Sequence, residues 1–285
     1  MTACAIHISD LHCGKHVADD VENALVTLCE ELRPGLVIAS GDLSNRGRLA
    51  ELEGARDLLE RLPAPVLAVP GNHDIPYSLP GRVSHPWRAF EQVLGATEPL
   101  FVSEELVVRG LNSVRPWRHQ GGRLSATQLA SVAEAFRDAP AGALRVVALH
   151  HHLAGAPWRA SRKFPLKHRD AALDALAAAG AELVVGGHIH QASAVERHEF
   201  EATDGHRDGS LVLATAPGFS RPRPHRSGEA QGLHVYRATA EALIVETRIW
   251  DGSAFTPTAT RTFPRAVRAV TDVGPGHVHK MVDRG

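Results

Sequence analysis

The sequence predicts an α/β fold: a sandwich of two β-sheets with helices on its outer faces. Up to about residue 190, short apolar runs alternate with amphipathic patterns, which is typical of strands alternating with helices. Beyond residue 190 the patterns indicate strands alone, so we expect the first part to form one sheet and the second part most of the other. Hydrophobic residues make up 44% of the chain, which is enough for a large buried core.

The first 190 residues contain six apolar runs that we interpret as strands. The predicted strands are 3–9, 36–40, 66–70, 106–112, 145–150 and 183–187. The predicted helices between them are 18–32, 47–61, 125–138 and 168–179. Helical spacing supports these helices, as in Leu25, Leu28 and Leu32, and the third helix opens on a capping-box pattern in which Ser125 precedes Gln128.

The remaining segments complete one predicted domain. The stretch after residue 70, which contains Trp87 and Phe90, is predicted to be irregular. Beyond residue 190, alternating patterns predict the strands 191–200, 209–217, 232–239 and 242–251. With no repeat and no linker in the sequence, we expect a single domain over 1–265, with a β-rich second half at 191–265. The segment 266–285 is predicted to be a weakly structured tail.

Charge and cysteine content narrow the class of protein. Lys and Arg number 31 against 32 Asp and Glu, so no overall positive field attracts nucleic acid. The three cysteines provide no disulfide framework and suit a reducing cytoplasm. The first residues lack the positive region of a signal peptide, and no apolar run approaches the ~20 residues needed to cross a bilayer. We therefore expect a cytoplasmic protein with no membrane span and no nucleic-acid partner.

Potential metal ligands stand at the ends of five apolar runs. These runs end in the letters SDLH, SGD, PGNHD, LHHH and GGHIH. The candidate ligands that they present are Asp10, His12, Asp42, Asn72, His150, His188 and His190. A single polar residue at a strand end is ordinary, but five such endings in order, all made of Asp, Asn and His, predict a hydrolytic site with two metal ions.

The spacing within these motifs suggests how the ligands pair. Asp10 and His12 are two residues apart, as are His188 and His190. Because alternate residues of a strand point to the same face, each pair is expected to point one way and to reach a shared ion. Asp42 has two carboxylate oxygens and can bridge two ions.

The five motifs follow, in order, the series DxH, GD, GNH[D/E], H and GHxH of the calcineurin-like metallophosphoesterase family, which this chain resembles over residues 10–190. The surrounding letters are most similar to those of bacterial class III cyclic-nucleotide phosphodiesterases. The resemblance implies a four-layer fold in which helices flank the two sheets. It also implies hydrolysis of a phosphodiester by a hydroxide that bridges two metal ions.

The resemblance further implies a role for each candidate residue. One ion would be bound by Asp10, His12, Asp42 and His190, and the other by Asp42, Asn72, His150 and His188. His73 would be a catalytic residue that faces the substrate phosphate and the leaving oxygen. Among the consecutive residues His150, His151 and His152, the first after the strand would be the ligand. The ligand types suit Mn²⁺, Fe²⁺/Fe³⁺ or Zn²⁺ and do not choose between them.

One position departs from the family pattern. Several members read GDxxDRG after the bridging aspartate, and their second Asp orients the histidine that corresponds to His73. This chain has Asn45 there. The Asn45 amide oxygen can accept a hydrogen bond from the His73 ring but brings no negative charge, so we expect a weaker general acid.

A small phosphodiester is the substrate that the resemblance implies, with a 3′,5′-cyclic nucleotide as the first candidate. The alternatives are another phosphodiester, a pyrophosphate such as a nucleotide-linked lipid precursor, or an inactive scaffold on the same fold. Three basic features are either substrate contacts or ordinary surface: Arg115 and the loops 159–163 and 221–226. The letters GHVH from Gly276 to His279 repeat the last motif, but no apolar strand precedes them, so we interpret them as part of the tail.

Overall fold

A computed structural model describes residues 2–14, 19–118, 120–154, 165–199, 211–223 and 228–265. The strands are β1 (Ala3–Ile8), β2 (Leu36–Ala39), β3 (Val66–Ala68), β4 (Leu100–Val102), β5 (Leu106–Gly110), β6 (Leu144–Ala148), β7 (Leu183–Gly186), β8 (Ser193–Glu196), β9 (Val212–Thr215), β10 (Gly232–Ala238), β11 (Ala242–Trp250) and β12 (Phe255–Pro264). The helices are α1 (Asp19–Leu32), α2 (Leu49–Glu60), α3 (Gly81–Ser84), α4 (Arg88–Leu94), α5 (Ala126–Arg137) and α6 (Arg169–Ala178), and a 3₁₀ turn covers Arg197–Glu199.

The strands form two six-stranded sheets. The first has the order β12-β11-β10-β1-β2-β3, and the second has the order β4-β5-β6-β7-β9-β8. In the first sheet β1, β2 and β3 are parallel, and β10 to β12 continue it as an antiparallel meander. In the second, β5, β6, β7 and β9 are parallel, with the antiparallel strands β4 and β8 at the edges.

The expected division of the chain between the sheets was wrong, because each sheet takes strands from both halves. Ala5 of β1 lies opposite Leu36 of β2 on one side and opposite Tyr236 of β10 on the other. Without β10, the backbone N–H and C=O groups on that side of β1 would be left unpaired, so the late meander protects an edge of the early sheet. Side-chain alternation identifies a strand, but it carries no information about its neighbours.

Three hydrophobic layers hold the four-layer arrangement together. Ile38 and Val146 belong to the layer between the two sheets. Leu25 belongs to a second layer, which packs α1 and α2 against the outer face of the first sheet. Leu173 belongs to a third, which packs α5 and α6 against the second sheet. The predicted α/β sandwich flanked by helices is confirmed, and each fully buried large side chain stabilises it by roughly 1.5–3 kcal/mol.

The four long predicted helices are observed within two residues of their expected ends, but short elements were missed. The stretch after residue 70 was predicted to be irregular, yet it contains α3 and α4, and Phe90 of α4 is fully buried. A seven-residue helix with one buried side chain is too short to show a helical period. The strands β4 and β12 were also missed, and the strand expected at 191–200 is only β8 followed by the 3₁₀ turn.

Several predictions concern residues outside the described ranges. They are the tail 266–285 with its GHVH letters, the loop 159–163, the last part of the loop 221–226 and the beginning of the strand 209–217. Among the described helices, none has the length and apolar character that crossing a membrane requires.

Candidate metal centre

The seven candidate ligands lie together where parallel strands of both sheets end. The loops that follow β1, β2 and β3 come from the first sheet, and those that follow β6 and β7 come from the second. Each ligand is at most 7% exposed: Asp10, His12, Asp42, Asn72, His150, His188 and His190. Burying so many polar side chains in one place is costly unless they bind something that replaces water.

A left-handed backbone, rather than strand alternation, orients most of these side chains. In the described residues, seven residues other than glycine have positive φ, and five of them are candidate ligands. These five are Asp10, His12, Asp42, His188 and His190, with φ between 51° and 74°. The expectation from the strand pleat was therefore wrong, since β1 ends at Ile8 and β7 at Gly186, before the ligands. His188 and His190 also do not share an ion site, because they lie in different clusters. Left-handed conformations cost about 1 kcal/mol or more each and are concentrated at functional sites.

Asp10, His12 and His190 form the first cluster. The Asp10 Oδ1 atom lies 3.0 Å from His190 Nε2, and His12 Nε2 lies 3.3 Å from the same nitrogen. His12 Nε2 is 3.8 Å from Asp10 Oδ1 and 4.0 Å from Asp42 Oδ2. Their candidate ligand atoms are close enough together to hold one metal ion.

Asp42, His150 and His188 form the second cluster, with Asn72 beside them. The His150 Nε2 atom lies 3.3 Å from Asp42 Oδ2, 3.2 Å from Asn72 Oδ1 and 3.2 Å from His188 Nδ1. Asp42 Oδ2 thus lies within 4.0 Å of a histidine from each cluster. That position suits a carboxylate shared by two ions.

The hydrogen bonds of His150 indicate that this donor set fits a cation. Its Nδ1 lies 2.8 Å from the Ser40 carbonyl oxygen and donates to it. A neutral His150 ring therefore presents a lone pair at Nε2 to the oxygens of Asp42 and Asn72. Converging lone pairs repel one another unless a cation or a proton lies between them. Burial alone lowers the pKa of His150, but the Asp42 carboxylate outweighs it and raises this pKa to about 9, so a proton balances the charge when no metal is bound.

Each of the two carboxylates is held by one oxygen, which leaves the other oxygen for the cluster. Asp10 Oδ2 accepts hydrogen bonds from Ser9 Oγ at 2.8 Å and from the His188 backbone N–H at 2.9 Å. Asp42 Oδ1 accepts one from the His73 backbone N–H at 2.8 Å. Burial raises the pKa of both carboxyl groups, but the neighbouring histidines lower it by more. Each pKa therefore lies well below its usual range. Both groups are therefore ionised.

Gly187 allows the last motif to approach the first. A Cβ atom at this position would lie 1.8 Å from Ser9 Oγ and 2.5 Å from Asp10 Oδ2. No side chain fits that space without moving the Asp10 carboxylate. A glycine is therefore required at position 187, where the backbone of the GGHIH motif lies against the loop after β1.

His73 lies at the edge of the clusters, and a main-chain group holds its ring. Its ring centroid is 4.9 Å from that of His12, and it is partly exposed. Its Nδ1 lies 2.8 Å from the backbone carbonyl oxygen of Asn45, to which it donates. The acceptor is thus the backbone carbonyl of Asn45 and not its amide side chain, which the sequence had offered for this role. Since the turn at Asn45 directs its carbonyl toward His73, the identity of the side chain matters less than we expected.

Asp74, the last residue of the GNHD motif, was given no role from the sequence. Its Oδ1 accepts hydrogen bonds from Ser44 N at 2.7 Å and Ser44 Oγ at 3.0 Å, and its Oδ2 accepts one from Gly71 N at 2.7 Å. Burial, together with the negative charge of Asp42, raises the pKa of Asp74 to about 6. This side chain joins the loops that carry Asp42 and Asn72. The only sequence signal for it was its place in the motif.

The three consecutive histidines occupy different positions. His150 is in the second cluster, whereas His151 Nδ1 lies 2.8 Å from Ser113 Oγ. The ring of His151 is 4.7 Å from that of His188, centroid to centroid, so it packs beside the cluster. Strand alternation would have placed His151 on the face opposite His150. It does not apply here, because β6 ends at Ala148, before the three histidines.

The arginines considered as substrate contacts lie outside both clusters. Arg115 is half-buried and donates hydrogen bonds to the Val114 carbonyl at 2.9 Å and to Gln128 Oε1 at 3.2 Å. Arg223 forms an ion pair with Glu229. Neither residue reaches a candidate ligand through a described hydrogen bond.

Comparison with known proteins agrees with this geometry. The chain is 34% identical over 100 residues to a probable cyclic nucleotide phosphodiesterase of Synechococcus, and 50% identical over 42 residues to a glycerophosphodiester phosphodiesterase of Enterobacter lignolyticus. These matches cover 34% and 15% of each chain, so only part of each relative is matched. In fold it is similar to the purple acid phosphatase PPD1 of yellow lupin, with a TM-score of 0.67 at 12% identity over 94% of this chain and 55% of that chain.

A family-wide comparison covers a longer part of the chain. The sequence model for calcineurin-like phosphoesterases matches residues 5–192, which include all seven candidate ligands. The match and the paired His/Asp clusters point to a site for two divalent metal ions. The chain belongs to the calcineurin-like phosphoesterase family.

Proposed function

We propose that this protein is a dinuclear phosphodiesterase that hydrolyses a small nucleotide, with a 3′,5′-cyclic nucleotide as the first candidate. The observation that carries the proposal is the pair of buried clusters joined by Asp42, which belongs to the second cluster and has its Oδ2 4.0 Å from His12 Nε2 of the first. The names of the two matched relatives support a diester as the substrate class, and only that of the Synechococcus protein mentions a cyclic nucleotide. The net charge of −1 supports a small molecule rather than nucleic acid, and the unpaired cysteines suit the cytoplasm.

The proposed ligand sets follow the two clusters. Asp10, His12, Asp42 and His190 would bind one ion, and Asp42, Asn72, His150 and His188 would bind the other. Nitrogen and oxygen ligands without thiolate suit Mn²⁺, Fe²⁺/Fe³⁺ or Zn²⁺. When bound, two such ions supply positive charge for the phosphoryl oxygens and lower the pKa of a water toward neutrality.

The protein's own groups orient this centre. The Ser40 carbonyl fixes the tautomer of His150, because Nδ1 donates to it and Nε2 is left to face the cluster. The His73 backbone N–H holds Asp42 Oδ1, so the other oxygen of the carboxylate points to both clusters. Burial of Ser40, Asp42 and His150 excludes bulk water from these groups, which strengthens their electrostatic contacts.

His73 is the proposed general acid. Its Nδ1 donates to the Asn45 carbonyl, so Nε2 is the ring atom available to the substrate. A protonated Nε2 donates a hydrogen bond to a phosphoryl oxygen and can transfer its proton to the leaving alkoxide. Because a carbonyl carries no formal charge, it stabilises the protonated ring less than a carboxylate would. This supports diesters with moderate leaving groups over monoesters with poor ones.

The first experiment compares hydrolysis of bis-p-nitrophenyl phosphate and p-nitrophenyl phosphate with added Mn²⁺. Metal content is measured on the same samples, and Asp42→Ala is compared with Asp57→Ala, which removes a largely exposed aspartate of α2. We expect strong diester turnover that is lost only in Asp42→Ala. A preference for the monoester would overturn the substrate class. If two metals are bound but neither ester is hydrolysed, the proposal is overturned in favour of a scaffold on the same fold.

A further inference from the structure

A cleft of about 370 Å³ lies next to the metal centre and has a strongly basic lining. Its cationic side chains are Arg115, Arg118, Arg123 and Lys167. Trp117 also lines it and is 73% exposed. Among the described residues, no aspartate or glutamate contributes to the lining. Four cations and no carboxylate among the described lining residues indicate a site for an anion.

The positive charges in this cleft are largely unneutralised. In the described part of the chain, the side chains of Arg118, Arg123 and Lys167 form no hydrogen bond or ion pair. Arg115 is the exception, but its acceptors at Val114 and Gln128 are uncharged. Burial lowers the pKa of the Arg115 guanidinium, and the nearby charge of Arg123 lowers it further, whereas the carboxylate of Glu98, which is not part of the described lining, raises it. Like charges brought together in this way repel one another, and an anion would relieve that repulsion.

The amino-terminal end of α5 adds to the positive potential of the cleft. Ser125 and Ala126, where this twelve-residue helix begins, are part of the lining. The Ser125 hydroxyl caps the Gln128 backbone N–H at 3.2 Å, and among the described contacts the Ala126 N–H has no acceptor. Free backbone N–H groups and the helix dipole both favour an anion at such a position.

One imidazole ring separates this cleft from the second cluster. Gly122 lines the cleft, and a Cβ atom there would lie 2.4 Å from His151 Cγ. The other side of His151 faces His188, whose ring centroid is 4.7 Å away. The backbone N–H of Lys167 donates a hydrogen bond to the Gly122 carbonyl at 2.9 Å, so Lys167 is held next to the backbone that contacts His151. The cleft therefore lies one backbone segment and one buried ring away from the second cluster.

We propose that this cleft binds a second phosphoryl group of the substrate, one that lies outside the scissile diester. The inference rests on the proposed function, hydrolysis of a small nucleotide diester, and replaces its first candidate, a 3′,5′-cyclic mononucleotide, with nucleotide diesters that carry an additional phosphate. A 3′,5′-cyclic mononucleotide has only the scissile phosphate and leaves the cleft empty. Trp117 at the rim provides an exposed aromatic surface on which a base can stack.

A matched pair of substrates tests the inference: the p-nitrophenyl ester of thymidine 5′-phosphate and the same ester with a phosphate on its 3′-oxygen. The scissile bond is identical, so the ratio of their kcat/KM values reports only the second phosphate. We expect the 3′-phosphorylated ester to be preferred by about 10- to 100-fold. The double variant Arg123→Gln, Lys167→Gln should reduce this ratio toward one. The control Arg56→Gln, which removes an exposed arginine of α2, should retain it.

A binding measurement distinguishes a substrate phosphate from free phosphate and does not depend on turnover. By calorimetry, thymidine 3′,5′-bisphosphate should bind at least about tenfold tighter than thymidine 5′-phosphate, and the double variant should abolish the difference. Inorganic phosphate that binds through Arg123 and Lys167, without any substrate preference, would overturn the substrate subsite. Equal kcat/KM values for the two esters would also overturn it. If neither ester is hydrolysed, the proposed function fails, but the binding comparison still decides the cleft.

Discussion

Asp42 and His150 come from different sheets, and their side chains meet with Asp42 Oδ2 3.3 Å from His150 Nε2. Asp42 follows β2 of the first sheet and His150 follows β6 of the second. The second cluster therefore exists only when the two sheets pack correctly against each other. Since Asp42 Oδ2 also lies 4.0 Å from His12 Nε2, the same carboxylate joins this cluster to the first.

Replacement of Asp42 should affect both metal ions together. We expect Asp42→Ala to lower the bound metal from two ions per chain to fewer than one, because each ion loses an anionic ligand. Activity should fall by at least about 100-fold. Metal content by mass spectrometry and kcat on bis-p-nitrophenyl phosphate measure the two effects.

His73→Ala provides the control for the Asp42 variant, since it also reduces activity but leaves every proposed ligand in place. It should retain two metal ions while kcat falls by about 100-fold or more. Two tightly bound ions in Asp42→Ala would contradict the bridging assignment. Loss of both ions in His73→Ala would show that His73 is needed for metal binding and not only for catalysis.

Replacement of Asn45 should have a small effect, because its backbone carbonyl, and not its side chain, accepts the hydrogen bond from His73 Nδ1. We expect kcat of Asn45→Ala to remain within about threefold of the wild type, since the loss of an uninvolved side chain changes little at a site like this. The pH profile of kcat should keep its shape. A shift of its acidic or basic limb by one unit or more would show that the Asn45 side chain acts on His73 in a way the hydrogen bonds do not reveal.

The candidate ligands of the metal centre could be predicted from the sequence, because each motif that contains them is only a few residues long. An apolar run followed by Asp, Asn or His marks a strand end, and this is where Asp10, Asp42 and Asn72 lie. The features that depend on backbone conformation could not be predicted. The amino-acid sequence does not show whether His73 donates its hydrogen bond to the backbone carbonyl of Asn45 or to its side chain. The hydrogen bonds by which Asp74 joins the loop of Ser44 to that of Gly71 also depend on the tertiary structure.

Sheet assignment failed for a similar reason. The alternation around Tyr236 predicted a strand correctly, but its pairing with β1 is a contact between residues more than 200 positions apart. Such long-range pairings depend on the tertiary structure, and the alternation within one strand does not record them. The hydrophobic period thus predicted the layers of the fold better than the strand order.

The close approach at Gly187 leads to a prediction about stability and metal binding. A methyl group there would overlap Ser9 Oγ and press on Asp10 Oδ2. We expect Gly187→Ala to lower the free energy of unfolding by about 1–3 kcal/mol and to weaken metal binding, because Asp10 must move. Urea denaturation and metal content are the measurements.

Gly54→Ala is the matched control for Gly187→Ala. Gly54 lies within α2, and a Cβ atom there would have no neighbour within 4 Å. This change should raise the free energy of unfolding by about 0.5–1 kcal/mol, because alanine favours a helix more than glycine does. If both variants have the same stability as the wild type, the contact at Gly187 is looser than the structure indicates.

Buried histidines between the sheets should make the fold sensitive to acid. His7 Nδ1 lies 2.8 Å from the Tyr236 hydroxyl, and His234 Nδ1 lies 3.3 Å from it. Burial lowers the pKa of His234 from 6.5 to about 3, and burial together with the neighbouring His234 lowers that of His7 well below 6.5. Both rings are therefore neutral in the folded protein at neutral pH.

The sign of the pH dependence follows from this depression of the pKa. Below about pH 6.5 these histidines are protonated in the unfolded chain but remain neutral in the folded chain. Their contribution to the free energy of unfolding is therefore complete above that pH and decreases as the pH falls toward the pKa of the folded state. Each such histidine contributes up to about 1.4 kcal/mol per pH unit. We expect urea denaturation between pH 7.5 and 5 to show this loss, with a smaller slope in His234→Leu. The exposed His198 serves as the control: if His198→Leu reduces the slope as much as His234→Leu does, the acid sensitivity does not originate in the layer between the sheets.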